Sequence, residues 1–348
     1  MRTSDFDYPL PRNLIAQTPM EPRDHSRLLV VDRSTGELEH HRFYEIGQFL
    51  KPGDLLVLND SRVIPARLRG SRLGTGGAIE LLLLHRTGKG TWKALVKPRR
   101  RLRPGAKFEV DGIEGEVLED SASGARLIHL SDEGVIQRAG EMPLPPYIDT
   151  PLVARERYQT VYARADGSAA APTAGLHFTP ELLESLGRDG IRFARVTLHV
   201  GLDTFRPVQS EEPEKHELHT EYFEVGEDAA REINLARDEA RRIISVGTTS
   251  VRVLEQAAFL SHRDGEVGLK SVSGWADLFI LPGHRFQMVD GLITNFHMPR
   301  STLLMMVSAF ARRDTSPNSG RDLVMKAYQE AIEQCYRLFS LGDCMLIF

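Results

Sequence analysis

The amino-acid sequence predicts an α/β protein with a small antiparallel β-barrel domain inserted into its main domain. After residue 180, apolar strands alternate with helical segments, a pattern typical of a largely parallel sheet covered by helices. Between residues 66 and 150, short strands are instead separated by glycine turns, as in a small antiparallel barrel or sandwich. We therefore expect a discontinuous α/β domain formed by 1–65 and 151–348, and an inserted barrel domain at 66–150.

The composition is that of an ordinary globular protein. Of 348 residues, 41% are hydrophobic and 26% are charged. No apolar run approaches the roughly 20 residues of a membrane helix, and the first residues lack the apolar segment of a signal peptide. Two cysteines are too few for a disulfide framework. The sequence therefore predicts a cytoplasmic protein without membrane contact.

The elements of the first half follow from apolar runs and turn residues. Two buried strands are predicted at 28–31 and 55–58, each flanked by polar residues. The proline cluster at 143–146 predicts a stiff connector that returns the chain to the main domain. The predicted strands of the insert are 66–72, 79–85, 92–96, 107–110, 115–118 and 125–130.

The second half begins with a well-specified helix. Thr179 can cap it, Pro180 is tolerated in its first turn, and Gly190 ends it. The predicted strands after it are 193–200, 243–246, 278–281 and 292–296. The predicted helices are 180–189, 227–241, 251–260, 302–311 and 322–338.

The positive charge is concentrated in the insert. Between residues 66 and 110 there are 12 Lys and Arg residues against two Glu, in a chain whose net charge is -4. Such segregation is the electrostatic pattern of a polyanion-binding surface, although a solvated surface loop is equally compatible with it. The residues predicted to contact nucleic acid are Arg99, Arg100, Arg101 and Arg103.

The usual cofactor fingerprints are absent from the sequence. No G-x-G-x-x-G follows a strand and opens a helix, and no P-loop occurs. The histidines of 216–219 are three residues apart, unlike those of the zinc-protease motif H-E-x-x-H. We expect neither a bound metal nor a resident cofactor.

Four loops combine small residues with histidine, hydroxyl or amide groups beside predicted strand ends. They span 172–178, 197–201, 247–252 and 294–299. Each alone is compatible with a packed histidine or a capped helix start. Together they predict that His177, His199 and His297 meet at one edge of the sheet, around a ligand with anionic or hydroxyl groups.

Long segments of the chain also resemble a known family. From Asp5 to its C-terminus, the chain is similar to the S-adenosylmethionine:tRNA ribosyltransferase-isomerase (QueA) family of queuosine biosynthesis. The matching segments are 53–67, 142–148, 158–162, 171–178, 246–252 and 290–311. One departure is Asp203, where the family pattern usually has glycine.

The resemblance implies an activity and a set of partners. The ribosyl part of S-adenosylmethionine, a consumed substrate, is transferred to the aminomethyl group of a 7-deazaguanine in a tRNA anticodon. The product is epoxyqueuosine in tRNA, with release of adenine and methionine. The basic insert is then a tRNA contact, and a monomer is expected.

The resemblance also implies site residues. His177 and His297 are the first candidates for proton transfer, and His199 is the third. Arg252 is expected to meet the methionine carboxylate or a tRNA phosphate. The remaining predicted substrate-binding residues are Thr173, Gly175, Thr248, Thr249, Ser250 and Asn295.

Two other classes of function remain open at this point. A chain with the same loops but no chemistry is a non-catalytic tRNA-binding module. A chain with a different reaction is another nucleoside-acting enzyme, either a hydrolase or a methyltransferase. A methyltransferase releases S-adenosylhomocysteine, whereas the implied reaction releases adenine and methionine.

Overall fold

A nine-stranded mixed sheet forms the main body of the protein. The structure is a computed structural model, and it describes residues 1–121, 125–201, 208–216, 220–265, 268–312, 316 and 318–348. The strands of this sheet are β1 Arg27–Val31, β2 Leu38–Arg42, β3 Leu55–Asn59, β12 Arg192–Leu198, β13 Glu221–Val225, β14 Ile243–Val246, β15 Val272–Ala276, β16 Gly291–Asn295 and β17 Cys344–Ile347.

The parallel strands lie at the centre of the sheet. The spatial order is β15-β13-β12-β3-β14-β16-β17-β1-β2. The four adjacent strands β12, β3, β14 and β16 pair in parallel, while the outermost pairings at both ends are antiparallel. Strands β3, β14 and β16 are buried along their whole length, which explains their continuous apolar sequences. The predicted largely parallel sheet is thus found at the centre, within a mixed sheet.

The insert is a closed antiparallel barrel. Its strands are β5 Arg67–Arg72, β6 Ala78–Gly88, β7 Thr91–Lys97, β8 Lys107–Val110, β9 Ile113–Asp120 and β10 Arg126–Leu130. They close in the order β10-β7-β6-β5-β8-β9 around a core that includes Leu81, Trp92 and Phe108. Helix α1, Gly134–Ala139, adds Val135 and Ile136 to that core.

The chain leaves the main sheet and returns to it at one place. Short strands β4, Ser61–Val63, and β11, Ala165–Ser168, precede and follow the barrel and pair in parallel with each other. Between them, Arg67 and Glu141 exchange two backbone hydrogen bonds, with N···O distances of 3.2 and 2.8 Å. The two ends of the insertion are therefore held together.

Helices cover both faces of the main sheet. They are α2 Pro180–Arg188, α3 Glu227–Asp238, α4 Thr248–Arg263, α5 Thr302–Phe310 and α6 Ser319–Glu333. The Thr179 hydroxyl caps α2 by accepting from the backbone N–H of Leu182 at 3.1 Å, as predicted, and Ser301 caps α5 in the same way. Two apolar clusters, one on each face, separate the sheet from the helices.

The predicted fold class, an α/β domain with an inserted β-barrel, is confirmed. The predicted strand at 278–281 is wrong: strand β15 lies just before this segment, whose Ile280 packs into the main core. The strands that were not predicted are β2, β4, β11, β13, β15 and β17. Within the described part of the chain, no helix is both long and apolar enough to span a bilayer.

Candidate active site

A cleft of about 610 Å³ lies at the carboxyl edge of the parallel strands. Val200 follows β12, Gly247 follows β14, and Phe296 follows β16, and all three line the cleft. The fourth wall is the segment 171–174, which ends in the 3₁₀ helix Thr173–His177. All four of the predicted loops thus contribute residues to this one cleft, where open α/β sheets bind their ligands.

His297 lines the cleft and is held firmly. Its backbone N–H donates to the Tyr328 hydroxyl at 2.7 Å, and its carbonyl accepts from the Tyr8 hydroxyl at 2.6 Å. The ring Nε2 lies 2.8 Å from the Thr294 hydroxyl. Burial lowers the pKa of His297 from its ordinary value to about 3, so the ring is neutral at pH 7.

Asn295 connects the cleft to His177. Its Oδ1 accepts from the Thr173 hydroxyl at 2.8 Å, and both residues line the cleft. Its Nδ2 lies 3.3 Å from His177 Nε2. His177 lines a separate small cavity beside Arg23 and does not line the cleft itself.

The environment of His177 fixes its tautomer. When the Asn295 amide nitrogen donates to Nε2, the proton of the neutral ring sits on Nδ1 and is donated to the Ser26 hydroxyl at 2.7 Å. Burial, reinforced by the cations Arg337 and Arg23, lowers the pKa of His177 to about 3. His177 is therefore a neutral ring that orients Asn295 from beneath the cleft.

Helix α4 begins at the floor of the cleft. Gly247 has φ 88°, a conformation that favours glycine, and it precedes the helix without a side-chain cap. Thr248 and Thr249 line the cleft, and the Thr249 hydroxyl is buried without a hydrogen-bond partner among the described residues. The free N–H groups of the first turn and this hydroxyl suit a polar ligand.

A second cavity of about 420 Å³ adjoins the cleft through Thr248, Thr249 and Leu303, which line both. Its polar wall is a buried ion pair between Arg252 and Glu221, each with 8% of its side chain exposed. Arg252 also donates to the Ala276 carbonyl at 3.0 Å, and Glu221 accepts from the Gly201 N–H at 2.7 Å. The opposite wall is apolar and includes Leu278, Ile280 and Met306.

Comparison with known proteins decides the family. A family model described as "Queuosine biosynthesis protein" matches residues 3–347. The chain belongs to this family. Over 353 residues and the full length of both chains, it is 54% identical to a protein from Symbiobacterium thermophilum and 51% identical to one from Dehalococcoides mccartyi. Both relatives are named S-adenosylmethionine:tRNA ribosyltransferase-isomerase.

A solved structure from the same family has the same fold. It is a crystal structure of S-adenosylmethionine tRNA ribosyltransferase from Thermotoga maritima, 40% identical to this chain. The likeness covers 99% of this chain and 100% of that one, with a TM-score of 0.57. The predicted family, and with it the predicted enzyme class of a transferase in queuosine biosynthesis, is confirmed.

His199, the third predicted histidine, does not line the cleft. His199 stacks on Tyr222 with ring centroids 5.7 Å apart, and its backbone N–H donates to the Tyr222 carbonyl at 2.9 Å. Burial lowers the pKa of His199, against the opposing effects of Asp60, Glu224 and Asp166. The three histidines therefore occupy three environments around one strand edge.

Arg252 lines the second cavity, and two other predicted ligand-binding residues line neither cavity. Gly175 packs against Tyr162: a Cβ at this position would lie 2.0 Å from the tyrosine hydroxyl. The Ser250 hydroxyl donates to the Val246 carbonyl at 2.9 Å within the turn into α4. Gly175 and Ser250 thus stabilise the conformation of two loops whose other residues line the cleft.

The four predicted tRNA-binding arginines lie in the loop between β7 and β8. Arg99, Arg100, Arg101 and Arg103 are exposed, whereas Leu102 between them is fully buried and fixes the loop to the barrel core. Among the described residues, none of the four has a carboxylate within ion-pair distance. Elsewhere on the barrel, Arg86 pairs with Glu133 at 2.6 Å.

Sequence reasoning missed Glu221 and Tyr147. One feature of the sequence could have identified Glu221: it alternates with the apolar residues Phe223 and Val225, on the buried side of its strand. A carboxylate buried in this way needs a partner. Tyr147 lines the cleft and its hydroxyl lies 2.6 Å from Ser340 Oγ, but it was assigned to a connector.

Three sequence predictions concern Asp203, the histidines of the segment 216–219, and the lack of a bound metal. Asp203 and residues 217–219 of the segment 216–219 lie outside the described residues. Within the described residues, no group of three or more His, Cys, Asp and Glu side chains is arranged to hold a metal ion.

Proposed function

We propose that this chain transfers the ribosyl part of S-adenosylmethionine to tRNA and isomerises it, using the cleft at the carboxyl edge of the parallel strands. The acceptor is 7-aminomethyl-7-deazaguanine in the anticodon, and the leaving molecules are adenine and methionine. The observation that carries this proposal is the meeting of neutral His297 with the Thr173–Asn295 pair in one cleft.

His297 is the group we assign to proton transfer. The sulfonium of S-adenosylmethionine acidifies the neighbouring C5′–H, and a neutral imidazole can accept that proton. In the tautomer that donates Nε2–H to the Thr294 hydroxyl, Nδ1 is the accepting atom, and it has no hydrogen-bond partner among the described residues. Burial lowers the pKa of His297, so the protonated ring readily gives up a proton, which the departing adenine can take.

The two adjoining cavities divide the substrate between them. Thr173, Thr248, Thr249 and Asn295 hold the nucleoside, with Gly175 and Ser250 supporting their loops. The methionine part enters the second cavity, where its carboxylate meets Arg252 and its ammonium meets Glu221. The apolar wall opposite suits the methylene chain.

The other two histidines act indirectly. His177 Nε2 and the backbone carbonyls of Phe339 and Asp343 surround the Asn295 amide nitrogen at 3.3, 3.3 and 3.5 Å, so we assign His177 as a positioning residue. We assign the acceptor base to the side of His199, whose neighbour Val200 lines the cleft. The exposed arginines Arg99, Arg100, Arg101 and Arg103 contact tRNA phosphates.

One product assay tests the reaction. The protein is incubated with S-adenosylmethionine and tRNA that carries the aminomethyl precursor, and the products are separated by chromatography. Equal amounts of adenine and methionine, dependent on this tRNA, support the proposal. S-adenosylhomocysteine would identify a methyltransferase instead, and tRNA binding without any small product would identify a binding module.

Three statements from the sequence are untested and stay predictions. They are the cytoplasmic location, the monomeric state and the lack of a resident cofactor.

A further inference from the structure

Four aromatic rings form a line that crosses from the barrel to the main sheet. His85 of β6 meets Trp275 of β15 edge-to-face, with ring centroids 4.6 Å apart. Trp275 meets Tyr222 of β13 at 5.8 Å, and Tyr222 stacks on His199 at 5.7 Å with 20° between the ring planes. We call these four residues the aromatic line.

The aromatic line lies on the face of the sheet opposite helix α4. In β13, Glu221, Phe223 and Val225 are buried toward the core, so Tyr222 and Glu224 point the other way. Tyr222 and Trp275 are register partners on neighbouring antiparallel strands, which brings their side chains to this same face. Packing within the protein leaves 47% of Trp275 exposed.

Charged side chains flank the two ends of the line, and on the sheet side both signs occur, since Arg164 pairs with Asp60 and lines one groove with Arg195 and Glu224. On the barrel side, Lys93 is the register partner of His85, and it makes no ion pair within the described chain. Strand β7, which carries Lys93, continues into the loop of Arg99, Arg100 and Arg101. On the sheet side, Glu224 accepts from the Tyr222 hydroxyl at 3.4 Å, while Asp60 and Asp166 influence His199.

This order of groups matches the parts of a nucleotide. A phosphate is attracted to the cationic end, a base stacks on the exposed indole, and the N–H donors of a base edge suit the carboxylate of Glu224. An apolar protein partner would gain little from the lysine and the carboxylates. The line ends at His199, one residue before Val200, which lines the cleft.

We propose that Trp275, supported by Tyr222 and His199, is a stacking surface for an unpaired base of the tRNA. This inference rests on the proposed function, which supplies tRNA as the partner. It adds a binding surface for the acceptor that lies between the basic barrel loop and the cleft.

Fluorescence can report stacking on Trp275 directly. The chain has two tryptophans, and Trp92 is buried in the barrel with 6% exposure, so Trp92→Phe leaves Trp275 as the single emitter. We expect tRNA to quench this emission, whereas S-adenosylmethionine alone and a blunt duplex RNA of equal length, which offers no unpaired base, do not. Equal quenching by the duplex would overturn the proposal, since phosphate contact would then account for it.

Substitution separates stacking from a structural role. Stacking of one base predicts that Trp275→Ala raises the tRNA KM roughly 5- to 150-fold, with an unchanged KM for S-adenosylmethionine. Trp275→Phe should recover most of the loss. The matched control is Phe259→Ala, which removes another aromatic residue with 49% exposure, on α4.

The outcomes are distinct. An unchanged tRNA KM in Trp275→Ala, with or without a lower Tm, refutes the stacking surface and leaves the aromatic line as a contact between barrel and sheet. If the Trp92→Phe protein does not fold, the difference in quenching between wild type and Trp275→Phe answers the same question. Quenching by tRNA in a wild-type protein that releases no adenine refutes the proposed reaction while supporting the base-binding surface.

Discussion

The cleft and the arginine loop of the barrel differ in the burial and pairing of their charged groups. In and around the cleft, Arg252 is paired with Glu221, and both His177 and His297 are kept neutral by burial. In the loop, Arg99 and its neighbours are exposed and have no carboxylate partner in the described part of the chain. Buried groups act through geometry at short range, whereas exposed cations act at a distance and are screened by salt.

The two regions therefore make different kinds of contribution to one activity. Changes in the cleft should alter the chemical step or the stability of the fold, with little dependence on ionic strength. Changes in the loop should alter tRNA affinity and its salt dependence, with little effect on stability. Four experiments test this division.

The largest expected effect is on the rate. His297→Gln removes the proton-transfer group, and general acid–base catalysis contributes about 10²- to 10⁴-fold, so kcat for adenine release should fall by about that factor. The matched control is His262→Gln, an exposed histidine in the last turn of α4. A His297→Gln protein with a near-normal kcat and an unchanged Tm would remove His297 from the chemistry.

The next effect is on stability, through the buried ion pair. Glu221→Gln leaves the Arg252 guanidinium buried without its carboxylate, which should lower the free energy of unfolding by about 3–5 kcal/mol. Adding Arg252→Leu should restore much of this stability, because no unpaired charge then remains. Urea unfolding at two salt concentrations measures both changes. If high salt strongly reduced the loss of unfolding free energy in Glu221→Gln, the pair would be solvent-exposed, and the difference from the arginine loop would not hold.

Acid should lower the free energy of unfolding through the two buried histidines near the cleft. His177 and His297 each have a pKa of about 3 in the folded protein, below their ordinary value near 6.5. The unfolded chain therefore binds more protons below pH 6.5, and stability falls as the pH drops from 6.5 toward 3. Each histidine should contribute up to about 1.4 kcal/mol per pH unit. His177→Asn should reduce the slope of unfolding free energy against pH, and an unchanged slope would contradict the lowered pKa.

The smallest effect concerns the loop. Replacing Arg99, Arg100 and Arg101 by Ala should reduce the slope of log K for tRNA against log salt by about 0.7–0.9 for each phosphate that is no longer bound. The free energy of unfolding should stay within about 0.5 kcal/mol of the wild-type value. The control is Arg86→Ala, since Arg86 is already paired with Glu133. An equal reduction of the slope in the control would show that pairing does not decide which cations reach the RNA.

The sequence predicted the loops of the cleft better than the contacts between them. Short-range signals, such as the cap at Thr179 and the apolar run before Gly247, placed those loops at strand ends. The partner of Arg252 lies 31 residues before it in a strand that was not predicted, so its pairing with Glu221 could not be inferred from sequence order. The burial of His177 likewise depends on Ser26 and Phe43, which are distant in the chain.

The aromatic line shows the same limit more sharply. His85 and Trp275 belong to different structural units, and their contact depends on how the barrel lies against the sheet. No periodicity or spacing in the sequence relates them. The misplaced strand at 278–281 had the same origin, since its apolar residues belong to the core and to the wall of the second cavity without pairing in the sheet.

The backbone exchange between Arg67 and Glu141 also bears on how the protein folds. Strands β3 and β12 pair in the sheet although the whole barrel lies between them in the chain. The barrel is built from neighbouring segments, and once it has formed, its two ends are adjacent. The entropic cost of closing a loop rises with the length of free chain. Because a folded barrel brings its own ends together, it shortens the loop that must close before β3 and β12 can pair. We expect barrel formation to precede and accelerate the assembly of the central sheet.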